Sequence, residues 1–307
     1  MSSVFDSGFQ SAFDARYQSI AGFKAFRSRI YVSGGISGLG TGTDNDGLTP
    51  SHWQSRLDLI PPERRAHAVA AIDHLIYAMG GSPSSGVRIA DTDEYNPRTN
   101  AWTPRANHPG PARSTAQAST LNGKIYMTGG SSDDLLRHDD TDEFNGATWI
   151  SRADFPLPVR GGHSQATVDN KVYILGGFIS GASGRADDVD EYVVNFWVSK
   201  TSLGVKTTQL AAMTIGDAIY YSGGNTPTTL NTMTRYDPDV HTARTPFPLP
   251  ARDIHASSPL NAIVGYIIGG RTFQDEVDQY NRNTNAWIEK GDLIPPGRHA
   301  LGGDLTT

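Results

Sequence analysis

The chain has 307 residues and a formal net charge of −6, with 37% hydrophobic and 19% charged residues. That is globular composition, enough for one large domain or two ordinary ones, and it excludes a disordered or membrane-embedded chain. No run reaches the roughly 18 apolar residues of a membrane span. No basic run points to nucleic acid, and the absence of cysteine excludes disulfides and thiolate metal sites.

Residues 1–20 stand apart from the rest. Phe5, Phe9, Phe13 and Tyr17 recur every four positions, the spacing of one helical face. A short helix packed on the remainder, or lying over one end of it, is expected. The stretch has no basic start and no apolar core, so a secretory signal is not expected, and a cytoplasmic location is.

From residue 21 the chain repeats. Gly-Gly pairs fall at 34–35, 80–81, 129–130, 176–177, 223–224 and 269–270, each three residues after Tyr31, Tyr77, Tyr126, Tyr173, Tyr220 or Tyr266. Each pair is followed by Leu48, Tyr95, Phe144, Tyr192, Tyr236 or Tyr280, and five or seven residues later by Trp53, Trp102, Trp149, Trp197, His241 or Trp287. Such a period signals repeated supersecondary units. All five tryptophans occupy repeat positions, so the aromatics are expected to pack between repeats rather than form a cofactor box. Short alternating strands such as "KVYILGG" are separated by turn signals, as in an all-β array.

The tail "DLIPPGRHALGGDLTT" (292–307) parallels "DLIPPERRAHAVAAID" (58–73), which runs from one repeat into the first strand of the next. The C-terminal segment is therefore expected to supply the innermost strand of the first blade, closing a ring without an open edge. The other arrangement uses "AGFKAF" (21–26).

The Tyr-x-x-Gly-Gly, Tyr and Trp signature resembles the kelch family over about residues 21–307. The resemblance implies a six-bladed β-propeller of four-stranded antiparallel blades, preceded by the extension at 1–20. Propellers of this kind bind peptides through arginines at the channel mouth, and similar bacterial sialic acid mutarotases place arginine and a carboxylate in the channel. Galactose oxidase, another kelch propeller, needs a Cys–Tyr copper centre that a cysteine-free chain cannot form.

Asp91, Asp93 and Glu94 are close enough in sequence to suggest an active site. The motif recurs, however, as Asp44/Asp46, Asp140/Asp142, Asp188/Asp190 and Glu276/Asp278, with Thr232/Thr234 in repeat 5. Residues two apart on a strand share a face, so each pair is expected to accept hydrogen bonds within its own blade.

Eleven residues after each Trp position stand Arg64, Arg113, Arg160, Arg252 and Arg298, with Thr207 and Thr208 in repeat 5. They form either an anion-binding ring at the mouth, since guanidinium holds carboxylate or phosphate bidentately, or salt bridges to nearby Asp. Three residues further come His67, His163 and His255. Packed, hydrogen-bonded histidines are one reading and a three-histidine metal site the other. Side chains that break the repeat are Asp133, Asp134, Arg137, His138, Arg185, Asp187 and Arg271. With His163 and His255, Arg271 is a candidate for acid–base chemistry; Arg137 and Arg185 join the ligand-binding set.

No serine-elbow, Walker or zinc-protease motif is present, and no cofactor is expected. The expectation is a soluble module taking a small anionic molecule or acidic peptide, with no nucleic-acid or membrane partner. A cofactor-free isomerase, mutarotase, cyclase or lyase is the alternative, and a metal-dependent enzyme the third. Oligomeric state has no signature here.

Overall fold

The computed structural model describes residues 30–33, 36–37, 40–41, 45–48, 53–83, 86–133, 136–179, 184–253, 255–259, 261–270 and 274–290. Repeats 2 to 6 each form one four-stranded antiparallel sheet in meander order. In repeat 3 these strands are Gln117–Leu121, Lys124–Thr128, Thr141–Phe144 and Trp149–Arg152. The first two strands of a blade are joined by two-residue turns such as Asn122-Gly123 and Asp169-Asn170, both at positive φ. That is the hairpin geometry whose twist matches the strands. The register follows, with Leu121 opposite Lys124 and Val168 opposite Lys171.

First strands of successive blades pack side by side from repeat 2 to repeat 6. The apolar core lies between neighbouring sheets. Met79 and Tyr77 of repeat 2 share a cluster with Met127 and Phe144 of repeat 3. The aromatics pack as the repeat implies. Tyr77 meets Phe144 of the next blade edge-on at 5.3 Å, and Tyr173 meets Tyr236 at 5.8 Å. Trp102, Trp149, Trp197 and Trp287 each cover the aromatic of their own third strand, as Trp149 covers Phe144 at 4.8 Å. Each indole N–H donates to a carbonyl at the exit of the preceding blade, as Trp149 does to Ala106 at 2.9 Å. One aromatic position thus serves packing and polar stitching together.

The Gly-Gly pair is explained by close backbone approach. The second glycine donates its N–H to the next repeat's chain just before that repeat's first strand. Gly81 donates to the Arg113 carbonyl at 2.9 Å, Gly130 to Arg160 at 3.1 Å and Gly224 to Arg252 at 2.9 Å. At Gly129 (φ +56°) a Cβ would sit 2.5 Å from the Arg160 carbonyl oxygen and 2.8 Å from the His163 ring. Gly129→Ala is therefore expected to destabilise the protein by at least about 1–3 kcal/mol, measured as a lowered urea midpoint. A wild-type midpoint would show that the blades can separate at this seam without cost.

The expectation of six four-stranded blades is corrected: the described residues hold five. Repeat 1 gives a three-stranded sheet, Ile30–Ser33, Asn45–Leu48 and Trp53–Ser55, beside a separate two-stranded ladder. The Tyr-x-x-Gly-Gly signature sits on and just after the second strand, so counting it counts second strands. It does not encode whether a distant segment pairs to complete a sheet. The segments named for ring closure (292–307 and 21–26) and the extension 1–20 lie outside the described residues. The described residues contain no helix long and apolar enough to cross a membrane.

Candidate functional site

The chain leading into each first strand builds one rim of the channel. The third residue from the Arg position adopts positive φ in Ala66, Thr115 and Gln209 and in Gly162. Their N–H groups donate from blade to blade: Thr115 to the Ala66 carbonyl, Gly162 to Thr115, Gln209 to Gly162, at 2.8–2.9 Å. This backbone belt makes the rim a rigid frame. The loops joining second and third strands dock onto it through the bridges Ser114–Ser131, Gly161–Phe178 and Thr208–Asn225.

The ring of arginines lies beneath this rim and not on it. Arg64, Arg113, Arg160 and Arg252 are all 0–1% exposed. Each donates to a carboxylate on the third strand of its own blade: Asp93, Asp142, Asp190 and Asp278 respectively. Arg113 also meets Asp140 at 3.1 Å, and Arg160 meets Asp188 at 3.4 Å. Arg160 and Arg252 lie over the Phe155 and Phe247 rings. The geometry is that of internal salt bridges, which also answers the question of the acidic motif. Its carboxylates are the arginines' partners. Repeat 5 has Thr207 where the others have Arg, and Thr234 where they have Asp. It still completes four strands, and both Thr207 and Thr208 are buried.

The three histidines do not meet. Among the described residues no three His, Asp or Glu side chains come together as a metal site, which corrects the His67–His163–His255 alternative. Each histidine is buried, and His163 and His255 each face the second strand of the preceding blade. His163 Nε2 donates to Thr128 Oγ1 at 2.9 Å, and that hydroxyl donates to Gln165 Oε1 at 2.6 Å. His255 Nε2 contacts Ser222 Oγ at 3.0 Å. Burial, aided by the nearby arginine charge, pushes His67, His163 and His255 down to about 3. A histidine held neutral that far below its ordinary value is a packing element at neutral pH.

What the loops bring to the rim is a second set of arginines. Arg88 and Arg137 each stand seven residues after the second glycine of their pair, and Arg185 eight after its own. The following residues, Ile89 and His138, both donate to the second glycine's carbonyl at 3.1 Å, so the first two loops are structural equivalents. Arg88 reaches into the next blade. Its backbone and its Nη1 donate to Asp133 Oδ1 at 2.9 Å, and its Nε to Ser114 Oγ at 3.2 Å. Arg185 does the same in repeat 4, donating to Asn225 Oδ1 at 2.9 Å, while Asn225 donates to Asp253 at 3.3 Å. Arg137 pairs its backbone with Ser131. Burial, and the Arg88 charge beside it, hold its guanidinium below the ordinary arginine value.

Of the repeat-breaking residues, Arg137, His138, Arg185 and Asp133 therefore converge on the rim. Asp187 lies on the strand Arg185–Val193 and accepts the Leu203 N–H through its carbonyl. Asp134, Arg271 and Arg298 lie outside the described residues. The sequence reading missed Arg88, Asn225 and Asp253. The shared seven-residue offset of Arg88 and Arg137 was the available signal for the first.

A family model described as Kelch motif matches residues 63–109. No curated protein matches the chain. Among solved structures, one titled "Structure of YjhT" superposes with a TM-score of 0.71 at 17% identity, covering 85% of this chain and 98% of that one. Likeness at that identity concerns the fold, and 551 solved chains match, so the architecture by itself selects no activity. With the Kelch motif matched over repeat 2 and the blade-to-blade stitching repeated along the described chain, the fold is that of an all-β propeller with kelch-type four-stranded blades.

Proposed function

We propose that the rim formed by the loops of repeats 2 to 4 binds a small anionic molecule, with Arg137 and Arg185 as its principal donors and Arg88 beside them. One observation carries this reading. Two guanidiniums, Arg88 and Arg137, lie close enough for their charges to oppose one another. Packing like charges on a rigid frame costs free energy that an anion between them would lower. Arg185 adds a cation whose Nη2 donates to an amide oxygen, that of Asn225. The arginines of the buried ring support the frame and do not enter the ligand set. An acidic peptide would meet the same chemistry, but the small anion suits a site set among short loops on a belt.

The reading is tested by titrating citrate, inorganic phosphate and an Asp/Glu-rich peptide into wild type, Arg137→Gln and Arg185→Gln. Each substitution removes a charge-assisted hydrogen bond, and a loss of about tenfold or more in citrate affinity is expected. Unchanged citrate affinity in both variants would reject the site. Tighter binding of the peptide than of citrate would replace the small-molecule reading with a peptide one.

A further inference from the structure

We propose that Ser132, His138 and Asp140 form a nucleophile–base–carboxylate chain that gives this rim an acyl-transfer activity on anionic esters. All three lie between the second and third strands of repeat 3. His138 Nε2 is 2.9 Å from Ser132 Oγ, and His138 Nδ1 is 3.5 Å from Asp140 Oδ2. The two contacts use opposite ring nitrogens. With Nδ1–H turned toward the carboxylate, Nε2 is left to accept the serine proton, which is the arrangement a hydroxyl nucleophile needs. A long base–carboxylate contact is ordinary before a substrate is bound.

The backbone holds the pair in place. His138 N–H donates to the Gly130 carbonyl and Ser132 N–H to the Leu136 carbonyl, both at 3.1 Å. Asp140 is anchored by the buried Arg113 at 3.1 Å. Ser132 is 7% exposed and the His138 side chain 16%, so the hydroxyl is shielded while the ring still reaches solvent. Positive charge stands close by. Arg137 precedes His138, and Arg88 is bound to Asp133, the residue after Ser132.

The pair does not recur in repeats 2, 4 and 5. The backbone position of His138 is taken by Ile89 in repeat 2 and Leu230 in repeat 5, each donating to the second glycine of its pair. The position of Ser132, two residues after that glycine, is Pro83, Ile179 and Thr226 in repeats 2, 4 and 5. The blade fold therefore does not require the Ser–His contact.

In the reaction, Ser132 Oγ attacks the ester carbonyl carbon as its proton passes to His138 Nε2. The carbonyl electron pair moves onto oxygen, then returns as the bond to the leaving alkoxide breaks. The alkoxide takes the proton from His138. Water attacks the acyl-serine, giving a proton to His138. The Oγ–carbon bond breaks, the proton returns to Ser132, and a carboxylic acid is released. Asp140 stays ionised and positions the ring. The substrate class, an ester whose acyl part carries a second anion, rests on the anion-binding reading of the rim.

The experiment uses the full chain with a fluorophosphonate probe at pH 8, followed by peptide mass spectrometry. Ser132 is expected to be the labelled serine. Ser132→Ala should abolish labelling, and His138→Asn should slow it by about 100-fold or more with an unchanged thermal midpoint. Asp140→Asn should slow labelling at pH 8 by about tenfold or more with an unchanged thermal midpoint, which a merely structural carboxylate would not do. An unlabelled Ser132, or an equal rate in His138→Asn, overturns the proposal even if citrate binds. Hydrolysis of p-nitrophenyl hemisuccinate in preference to p-nitrophenyl acetate, with the preference lost in Arg137→Gln, supports the substrate class. Labelling without that preference keeps the nucleophile and removes the anionic substrate.

Discussion

Replacing Arg160 with Met is expected to lower the stability of the protein by about 3–5 kcal/mol. The change removes the guanidinium that meets Asp190 and leaves that carboxylate buried. Its other contact is the Ser199 hydroxyl at 2.9 Å, too little to compensate an ionised group taken out of water. Packing over the Phe155 ring at 5.3 Å is lost as well. The double change Arg160→Thr with Asp190→Thr copies Thr207 and Thr234 of repeat 5, where a complete blade forms without the ion pair. It is expected to cost less than either single change, because no lone charge remains buried. Urea denaturation of the four-member cycle measures this. A single-change cost below about 1 kcal/mol, or a double change that equals the sum of the singles, would show that the pair is not buried and coupled. The result also separates two readings of the arginine ring. Ligand-binding arginines would lose affinity on replacement and leave folding intact; internal pairs lose stability.

A steep loss of stability below pH 6.5 is the second expected result. His67, His163 and His255 have folded values of about 3, and His108 of about 4, all lowered chiefly by burial. In the unfolded chain they titrate near 6.5. Between the two values the unfolded state binds protons that the folded state refuses, so stability falls as pH falls. Their contribution is complete above pH 6.5 and is lost progressively on the way down to about 3. Each histidine adds up to about 1.4 kcal/mol per pH unit inside that window. Three together exceed what a fold stable by about 5–15 kcal/mol can sustain for more than a few units. Thermal midpoints from pH 7 to pH 4 measure the slope, and His163→Gln, which keeps a donor for Thr128, should reduce it by one proton. A flat profile down to pH 4 would mean that these rings are hydrated or already charged in the fold.

Much of the framework was legible because it is repeated. Six Tyr-x-x-Gly-Gly copies announce second strands; Tyr77, Tyr126, Tyr173 and Tyr220 pack on the next blade, and Trp102, Trp149, Trp197 and Trp287 stitch to the blade before. The recurrence of the acid pairs pointed to a role shared by every blade, and Asp93, Asp142, Asp190 and Asp278 each accept from the buried arginine of their blade. The arginine question could also have been decided in sequence. Repeat 5 lacks Arg and Asp together, and joint loss is what a salt bridge predicts. The blade count was not legible in the same way. A signature carried around the second strand is silent about whether a fourth strand joins the sheet.

The period of glycines and aromatics determined by itself that this chain is a stack of antiparallel sheets with aromatic seams, because those contacts obey one local spacing in every repeat. The tertiary structure alone decided which charges are consumed inside blades and which gather on the rim. Arg88 meets Asp133 forty-five residues away, and Arg185 meets Asn225 forty away. Such pairs depend on how neighbouring blades are placed in space, and no spacing within one repeat encodes that placement.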